Sequence, residues 1–232
     1  MKKENLFILI AARKGSKRIK NKNFKLLNKK PLIEYTFAFI KRNLKKKIFL
    51  STDYDVSDEM IKKYEIEIIK RPKKLCKSDS NSIDVIKHSL KKIPCDGEDI
   101  IIFLQPTVPL RSPKLLIDGI NLLKENNKLQ SCSSYILNEF YQTKALATKI
   151  GKNKMINLVN PKSGQFNKKI YTLDGSFYLF RKKLVETKNT LIDKDHVGII
   201  NKFECHVNID NQNDWDLAEI LVKRYKAMNF VD

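Results

Sequence analysis

Leu6 to Asn23 read LFILIAARKGSKRIKNKN, and the first part of that string decides the fold. Leu6 to Ala12 is an unbroken apolar run, too short for a typical helix and bounded by a charged loop. Such a run reads as a central strand buried on both faces, the kind found in parallel sheets. The loop that follows has unusual chemistry. Arg13, Gly15, Ser16, Lys17, Arg18, Lys20, Lys22 and Asn23 crowd into it, and between Leu6 and Asp53 the one acidic residue is Glu34. A loop leaving a buried strand with so many cationic and amide donors suits a polyphosphate. Gly15 lets the backbone approach a ligand, Arg13 can grip phosphate oxygens in a bidentate fork, and Lys22 supplies a point charge. The string is neither G-x-G-x-x-G nor G-x-x-x-x-G-K-[ST], and in so lysine-rich a chain a solvated basic loop is the competing reading.

Working outward, Pro31 sits where a first helical turn starts, and Ile33, Phe37 and Ile40 recur at helical spacing to about Lys41. Lys47 to Thr52 (KIFLST) reads as a second strand, Val56 to Tyr64 as a helix and Glu65 to Ile69 as a third strand. That alternation predicts an α/β fold, a mostly parallel sheet flanked by helices, whose ligands bind beyond the carboxyl ends of the strands. Arg71-Pro72 then leads into LCKSDSNSIDVIKHSL, Leu75 to Leu90: a polar turn and a helix with Ile83, Ile86 and Leu90 on one face. Ser80, Asn81 and Ser82 are N-cap candidates there. Asp99 to Leu104 (DIIIFL) is another buried strand and runs into QPTVPLRSP, where Pro106, Pro109 and Pro113 fix a rigid turn before a helix from Lys114 to about Glu125.

From Ser131 the pattern changes. SCSSYIL reads as a strand, and Lys144 to Ile150 and Met155 to Val159 flank a hairpin-like turn at Gly151-Lys152-Asn153. A polar stretch, Asn160 to Lys169, precedes YTLDGSFYLF, read as a strand from about Ser176. In CHVNIDNQNDWDLAEILVKRY, Cys205 to Ile209 is expected as a short strand, with Asn213 or Asp214 capping a helix to about Tyr225.

At 232 residues the chain fits one domain, 1–232, with a strand-rich lid over about 136–180. With 42% hydrophobic and 31% charged residues it reads as a soluble globular protein. No apolar run approaches a membrane span, and the start of the chain carries no secretory signal. Cys76, Cys95, Cys132 and Cys205 are far apart and form no C-x-x-C, which suits reduced thiols in a cytoplasmic protein. The net charge of +20 invites a nucleic-acid reading, but lysines occur throughout the chain without interleaved aromatic stacking residues. A lysine coat on a protein that binds neither nucleic acid nor membrane is the expectation. His88, His196 and His206 show no zinc spacing, and Ser16 lacks the context of a nucleophilic serine.

AARKGSKRIKNKN resembles the signature loop of the acylneuraminate cytidylyltransferases, enzymes that make CMP-activated sialic, legionaminic and pseudaminic acids. Their Ala-Arg-x-x-Ser-Lys loop ends in Lys-Asn and wraps the CTP triphosphate; Arg13, Ser16, Lys17, Lys22 and Asn23 fall in those places. QPTVPLR is similar to the family's Gln-Pro-Thr-Ser-Pro-Leu-Arg, with Val108 in place of serine. The Arg71 to Leu90 segment resembles the one that meets base and ribose. The lid is less similar. The asparagine of an Asn-Gly-x-x-Tyr motif is Asp174 here, and Gly164-Gln165 stands where Arg-Gln is frequent. In place of an Asp-x-Asp metal motif the chain has Asn208-Ile209-Asp210.

The resemblance implies a Rossmann-like nucleotidyltransferase acting as a homodimer. It would join CTP to an acidic nine-carbon sugar, giving the CMP-sugar and pyrophosphate. The implied catalytic residues are Arg13, Lys22 and Asp210. Nucleotide contacts fall to Arg13, Gly15, Ser16, Lys17, Lys22, Asn23, Arg71, Ser80 and Ser82. Sugar contacts fall to Gln105, Thr107, Lys144, Asp174 and Tyr178, and Mg²⁺ (or Mn²⁺) to Asp210 with Asn208. Two alternatives remain at this stage: a nucleotidyltransferase for another acidic sugar such as Kdo, and a degenerate paralogue that binds nucleotide without turnover.

Overall fold

The computed structural model describes residues 4–77, 79–137, 146–150, 154–158 and 170–227. The first half of the chain forms β1 (Leu6–Ala12), β2 (Leu26–Leu27), β3 (Lys30–Pro31), α1 (Leu32–Asn43), β4 (Ile48–Thr52), α2 (Asp58–Tyr64), β5 (Ile66–Lys70) and α3 (Ser82–Leu90). It continues with β6 (Ile100–Leu104), α4 (Pro113–Glu125), β7 (Ser131–Leu137), β8 (Leu146–Ile150) and β9 (Lys154–Leu158). Last come β10 (Ile170–Arg181), α5 (Lys182–Lys188), β11 (His196–Ile200) and α6 (Gln212–Ala227).

The main sheet has the order β11-β7-β10-β6-β1-β4-β5. β1 lies between β6 and β4 and pairs in parallel with both, and β5 continues in parallel beyond β4. β10 alone runs against its neighbours, antiparallel to β6 and β7, while β11 is parallel to β7. The sheet is therefore mostly parallel, as the alternation predicts. The chain builds outward from β1 through β4 to β5, then returns to place β6 on the other side of β1. A crevice opens where the direction of winding reverses, at the carboxyl ends of β1 and β6.

The apolar run of β1 is explained by its two covered faces. Ile8, Ile10 and Ala12 pack with Ile33, Phe37 and Ile40 of α1 and Leu116, Ile120 and Leu123 of α4. Leu9 points the other way, into a cluster with Ile86 and Leu90 of α3 and Leu184 and Val185 of α5. Helix starts follow local chemistry: the Ser112 hydroxyl accepts from Leu115 N–H with Pro113 beside it, and the Ser57 hydroxyl accepts from Met60 N–H, which starts α2 at Asp58 rather than Val56.

Three expectations need correction. Cys205 to Ile209 is irregular backbone, tied to the body by Ile209 N–H to Thr107 O at 2.8 Å. No strand was expected at His196–Ile200, yet β11 forms there and pairs in parallel with β7 at the sheet edge. The strand expected from Ser176 starts at Ile170 and carries a bulge between Leu173 and Tyr178. β8 and β9 pair antiparallel as the hairpin reading requires; the Gly151-Lys152-Asn153 turn and the Asn160 to Lys169 stretch lie outside the described residues. Among the described residues no helix is long and apolar enough to cross a membrane.

His196 gives the fold a measurable acid sensitivity. Its ring nitrogens lie 2.8 Å from Ser131 Oγ and 3.2 Å from Tyr135 Oη, all buried, and desolvation pushes its pKa down to about 4. Below pH 6.5 the unfolded chain takes a proton on this histidine that the folded chain refuses until about pH 4. Stability therefore falls as pH drops through that window, by about 1.4 kcal/mol per pH unit for the one proton. Denaturant melts between pH 7 and 5 should show this slope, and His196→Gln should flatten it; an unchanged slope in the variant would refute the assignment.

Candidate active site

Beyond the carboxyl ends of β1 and β6 lies a cleft of about 490 Å³. Its phosphate-like end is the loop after β1. Backbone pins hold that loop: Asn23, 7% exposed, donates from Nδ2 to Arg13 O at 3.2 Å, and Asp53 at the end of β4 accepts Lys14 N–H at 2.8 Å. Asn21 adopts a left-handed φ of 52°, which starts the tight turn that carries Lys22 and Asn23. Arg13, Ser16, Lys17, Lys22 and Asn23 all line the cleft. Gly15 does not; its carbonyl accepts from Arg13 Nη1 at 2.6 Å, folding the guanidinium back over its own loop.

Lys22 carries the decisive geometry. Its Nζ donates to Ile209 O at 2.6 Å and lies 3.3 Å from Asp210 Oδ1, with its side chain 12% exposed. Arg18 reaches the same Asp210 oxygen at 3.5 Å from a solvent-exposed position. Burial lowers the Lys22 pKa, opposed by the Asp210 carboxylate. A cation is thus held within a partly desolvated wall, where its charge is less screened than on the open surface.

At the other end, Arg71 is buried and donates to Ser51 Oγ at 3.3 Å and Ser51 O at 2.9 Å. Desolvation lowers its pKa. Ser80 and Ser82 line the cleft beside it, whereas the cap of α3 is Asn81, whose side chain accepts Ile83 N–H at 3.0 Å. Gln105, Thr107 and Tyr178 form the third wall; burial pushes the Tyr178 phenol up to about 12. Lys144 lies outside the described residues.

Asp174 is placed apart from the other residues expected at the sugar wall. It is 3% exposed and does not line the cleft. Its carboxylate is taken by protein donors: the Ser134 hydroxyl, Ser176 N–H at 2.8 Å and Asn201 Nδ2 at 2.6 Å. In this structure the carboxylate is turned to these donors rather than to the cleft.

Asn208 and Asp210 both face the cleft. Asp214 Oδ2 accepts the N–H groups of Asp210 and Asn211, fixing the turn into α6. Asn208 Oδ1 is buried with no hydrogen-bond partner. One carboxylate and one unsatisfied amide oxygen, two residues apart, fit a hard divalent ion whose remaining ligands are phosphate oxygens and water. Among the described residues no cluster of three His, Cys, Asp or Glu offers an alternative metal centre.

Sequence reasoning missed several groups. Lys77 lines the cleft, as does Arg18, which the loop reading names only as one of its cations and gives no role. Asp53 clamps the loop, and Arg111 is buried with its pKa pushed down to about 9 by desolvation. Arg111 lies within QPTVPLR, so a signal for it existed; Asp53 is signalled only by its place after a strand.

A family model described as Cytidylyltransferase matches residues 7–228. The chain belongs to the cytidylyltransferase family. Among curated proteins, this cytidylyltransferase is 27% identical over 229 residues to the CMP-N,N'-diacetyllegionaminic acid synthase of Legionella pneumophila, covering 94% of this chain and 96% of the relative. It is 27% identical to the N-acylneuraminate cytidylyltransferase of Escherichia coli over 98% of its own length, but spans only 54% of that relative, about half. Post-translational flagellin modification protein B of Campylobacter coli is 26% identical, with 92% and 93% covered. Among solved structures, CMP:2-keto-3-deoxy-manno-octonic acid synthetase complexed with CTP superposes with a TM-score of 0.72 at 14% identity, over 95% of this chain and 99% of that one. That likeness establishes the shared fold.

Proposed function

We propose that this cytidylyltransferase joins CTP to a nonulosonic acid, an acidic nine-carbon sugar, and releases pyrophosphate. The observation that carries the reading is the meeting of Lys22 with Asp210 across a cleft whose other wall is Gln105, Thr107 and Tyr178. A cation-rich loop and a carboxylate that can hold a metal face one another at the place where an α/β sheet binds nucleotides. The full-length match to a legionaminic acid synthase supports the sugar class.

In this reading the anomeric hydroxyl of the sugar attacks the α-phosphorus. A new O–P bond forms as the bond from the α-phosphorus to the bridging β-phosphate oxygen breaks; that electron pair leaves with pyrophosphate, and the hydroxyl proton passes to solvent water. Arg13 and Lys22 offset charge on the phosphoryl oxygens, Ser16 and Asn23 orient them, and Arg71, Ser80 and Ser82 hold the nucleoside. Gln105, Thr107 and Tyr178 hold the sugar. Asp210 with Asn208 would hold Mg²⁺, which when bound neutralises triphosphate charge. A homodimer in a thiol-reducing cytoplasm completes the proposal; Cys76, Cys95, Cys132 and Cys205 are all free thiols.

The test is pyrophosphate release from each nucleoside triphosphate, with and without Mg²⁺, across N-acetylneuraminic, legionaminic, pseudaminic and Kdo acceptors. CTP should support turnover with a nine-carbon acid, and chelation should abolish it. Faster turnover with Kdo would reassign the sugar. Silence across the panel from folded protein would overturn the reading.

A further inference from the structure

Beneath the cleft floor lies a buried polar cluster that the nucleotide chemistry does not use. The bulge of β10 carries Asp174 and Ser176, each 3% exposed, and Gly175 at φ +79°. Asp174 makes no ion pair among the described residues. Instead, the Ser176 backbone bridges it to a cation: Ser176 N–H donates to Asp174 Oδ1, and Ser176 C=O accepts from Arg111 Nε at 2.9 Å. Arg111 also donates to Thr36 Oγ1 at 2.9 Å and to the Gln105 carbonyl. One residue's backbone thus separates a buried carboxylate from a buried guanidinium, and the guanidinium holds the Gln105 turn.

The same bulge supports two cleft side chains. A Cβ on Gly175 would stand 2.8 Å from Gln105 Oε1 and 2.7 Å from Asn208 Nδ2, closer than real Cβ contacts allow. Both amides therefore rest on bare backbone. On the far side of Asp174, Asn201 donates at 2.6 Å, and its own N–H donates to Tyr135 O at 2.6 Å, fixing the start of the segment that runs to Asn208 and Asp210. His206, within that segment, lies 3.4 Å from Ser176 Oγ.

We propose that Asp174 is a positioning residue that locks the sugar wall to the metal-side segment: through Ser176 and Arg111 it sets Gln105, and through Asn201 it sets the approach to Asn208 and Asp210. The physical reason lies in burial. A desolvated guanidinium needs a nearby negative charge, and a buried carboxylate needs its lone pairs filled. Each meets its requirement only when β10, the Gln105 turn and the Asn201 segment share one geometry. The functional half of the inference rests on the nonulosonate reading above.

Asp174→Asn keeps the shape but removes the charge and turns an amide toward the Asn201 amide. Asn201→Asp sets two carboxylates against each other. The double variant exchanges donor and acceptor across the 2.6 Å contact and keeps one carboxylate in the cluster. Four proteins, wild type included, are compared by sugar kinetics, CTP calorimetry and amide hydrogen exchange. Each single variant should raise KM for the sugar by about tenfold or more and leave the CTP Kd measured without Mg²⁺ within about twofold. Exchange should quicken at 105–108 and 207–210 and stay unchanged at 13–23, and the double variant should recover most of both effects. Should Asp174→Asn fail to fold, Asn201→Ala removes the amide that serves Asp174, Ser176 Oγ and Phe203 N–H, keeps both charges and should give the same pattern. Loss of CTP and sugar binding together, exchange that quickens along the whole chain, or a double variant as damaged as the singles would overturn the proposal. A wild type without turnover sinks the sugar reading alone, because the exchange pattern still decides whether the lock exists.

Discussion

Lys22→Ala should reduce kcat/KM for CTP by roughly 10²–10³-fold, the scale observed when one preorganised donor to a developing oxyanion is removed. The ammonium is already fixed before any ligand arrives, by Ile209 O at 2.6 Å and Asp210 at 3.3 Å. Its side chain is only 12% exposed, so its field acts across a partly desolvated cleft. Alanine would remove the cation and leave Asp210 facing Arg18 alone, itself an exposed partner that water and salt screen. Lys22→Arg should not rescue the loss, because the guanidinium is broader than the ammonium in a confined position and its fork does not match a single carbonyl. Arg13→Ala should fall in the same range. Lys124→Ala, on the exposed face of α4, should leave turnover unchanged. Pyrophosphate release with a thermal melt of each variant checks the result. Equal small effects at Lys22 and Lys124 would return the loop to a solvated coat.

That contrast bears on the net charge of +20. The positive charge is spread over the chain, but its cations differ in how firmly they are held. Lys22, Arg71 and Arg111 are held by backbone carbonyls and buried to different degrees, and each has its pKa lowered by that burial. Lys17 and Arg18 line the same cleft from exposed positions. Affinity for an anion in the cleft comes first from Lys22 and Arg71, which are already ordered before binding, while exposed lysines contribute attraction at long range.

What was legible followed physical rules that act locally. Leu6–Ala12 could be read as a central strand because both of its faces are covered, and no period-two alternation is then required. QPTVPLR could be read because prolines stop a strand wherever they occur. The β10 bulge could not. Asp174-Gly175 looks like a turn, and Asp is seldom buried, so the strand was started at Ser176. What makes the burial tolerable is distant in sequence: Ser134, Asn201 and Arg111 supply the hydrogen bonds and the counter-charge. β11 was missed for a related reason. Its short HVGII string is weak by propensity and becomes an edge strand only because β7 offers an unpaired side. Sites whose hydrogen bonds join residues 27 to 65 positions apart leave no trace in a local window.

Arg181→Ala should be the most destabilising substitution away from the cleft, costing about 3–5 kcal/mol. Arg181 ends β10 at the opposite end of the sheet, opposite Ile100 at the start of β6, and its side chain is 0% exposed. The guanidinium donates to Leu129 O at 3.0 Å, Glu98 O at 3.0 Å and Leu123 O at 2.8 Å, and pairs with Glu4 at 2.7 Å. Removing it would leave buried carbonyls without donors and Glu4 without its partner, and would open a void among the ends of α4, β6 and β10. For a chain of this size such a loss lowers Tm by on the order of 10 °C. Arg181→Lys should recover only part of it, because one ammonium cannot span acceptors arranged around a planar fork. CTP affinity measured well below the lowered Tm should stay close to that of the wild type, since no atom of this cluster lines the cleft. A variant with unchanged Tm would mean that the buried guanidinium is replaceable by water. A variant with intact folding but lost CTP affinity would mean that the two ends of the sheet are coupled, which the separate packing of the Arg181 cluster and the nucleotide loop argues against.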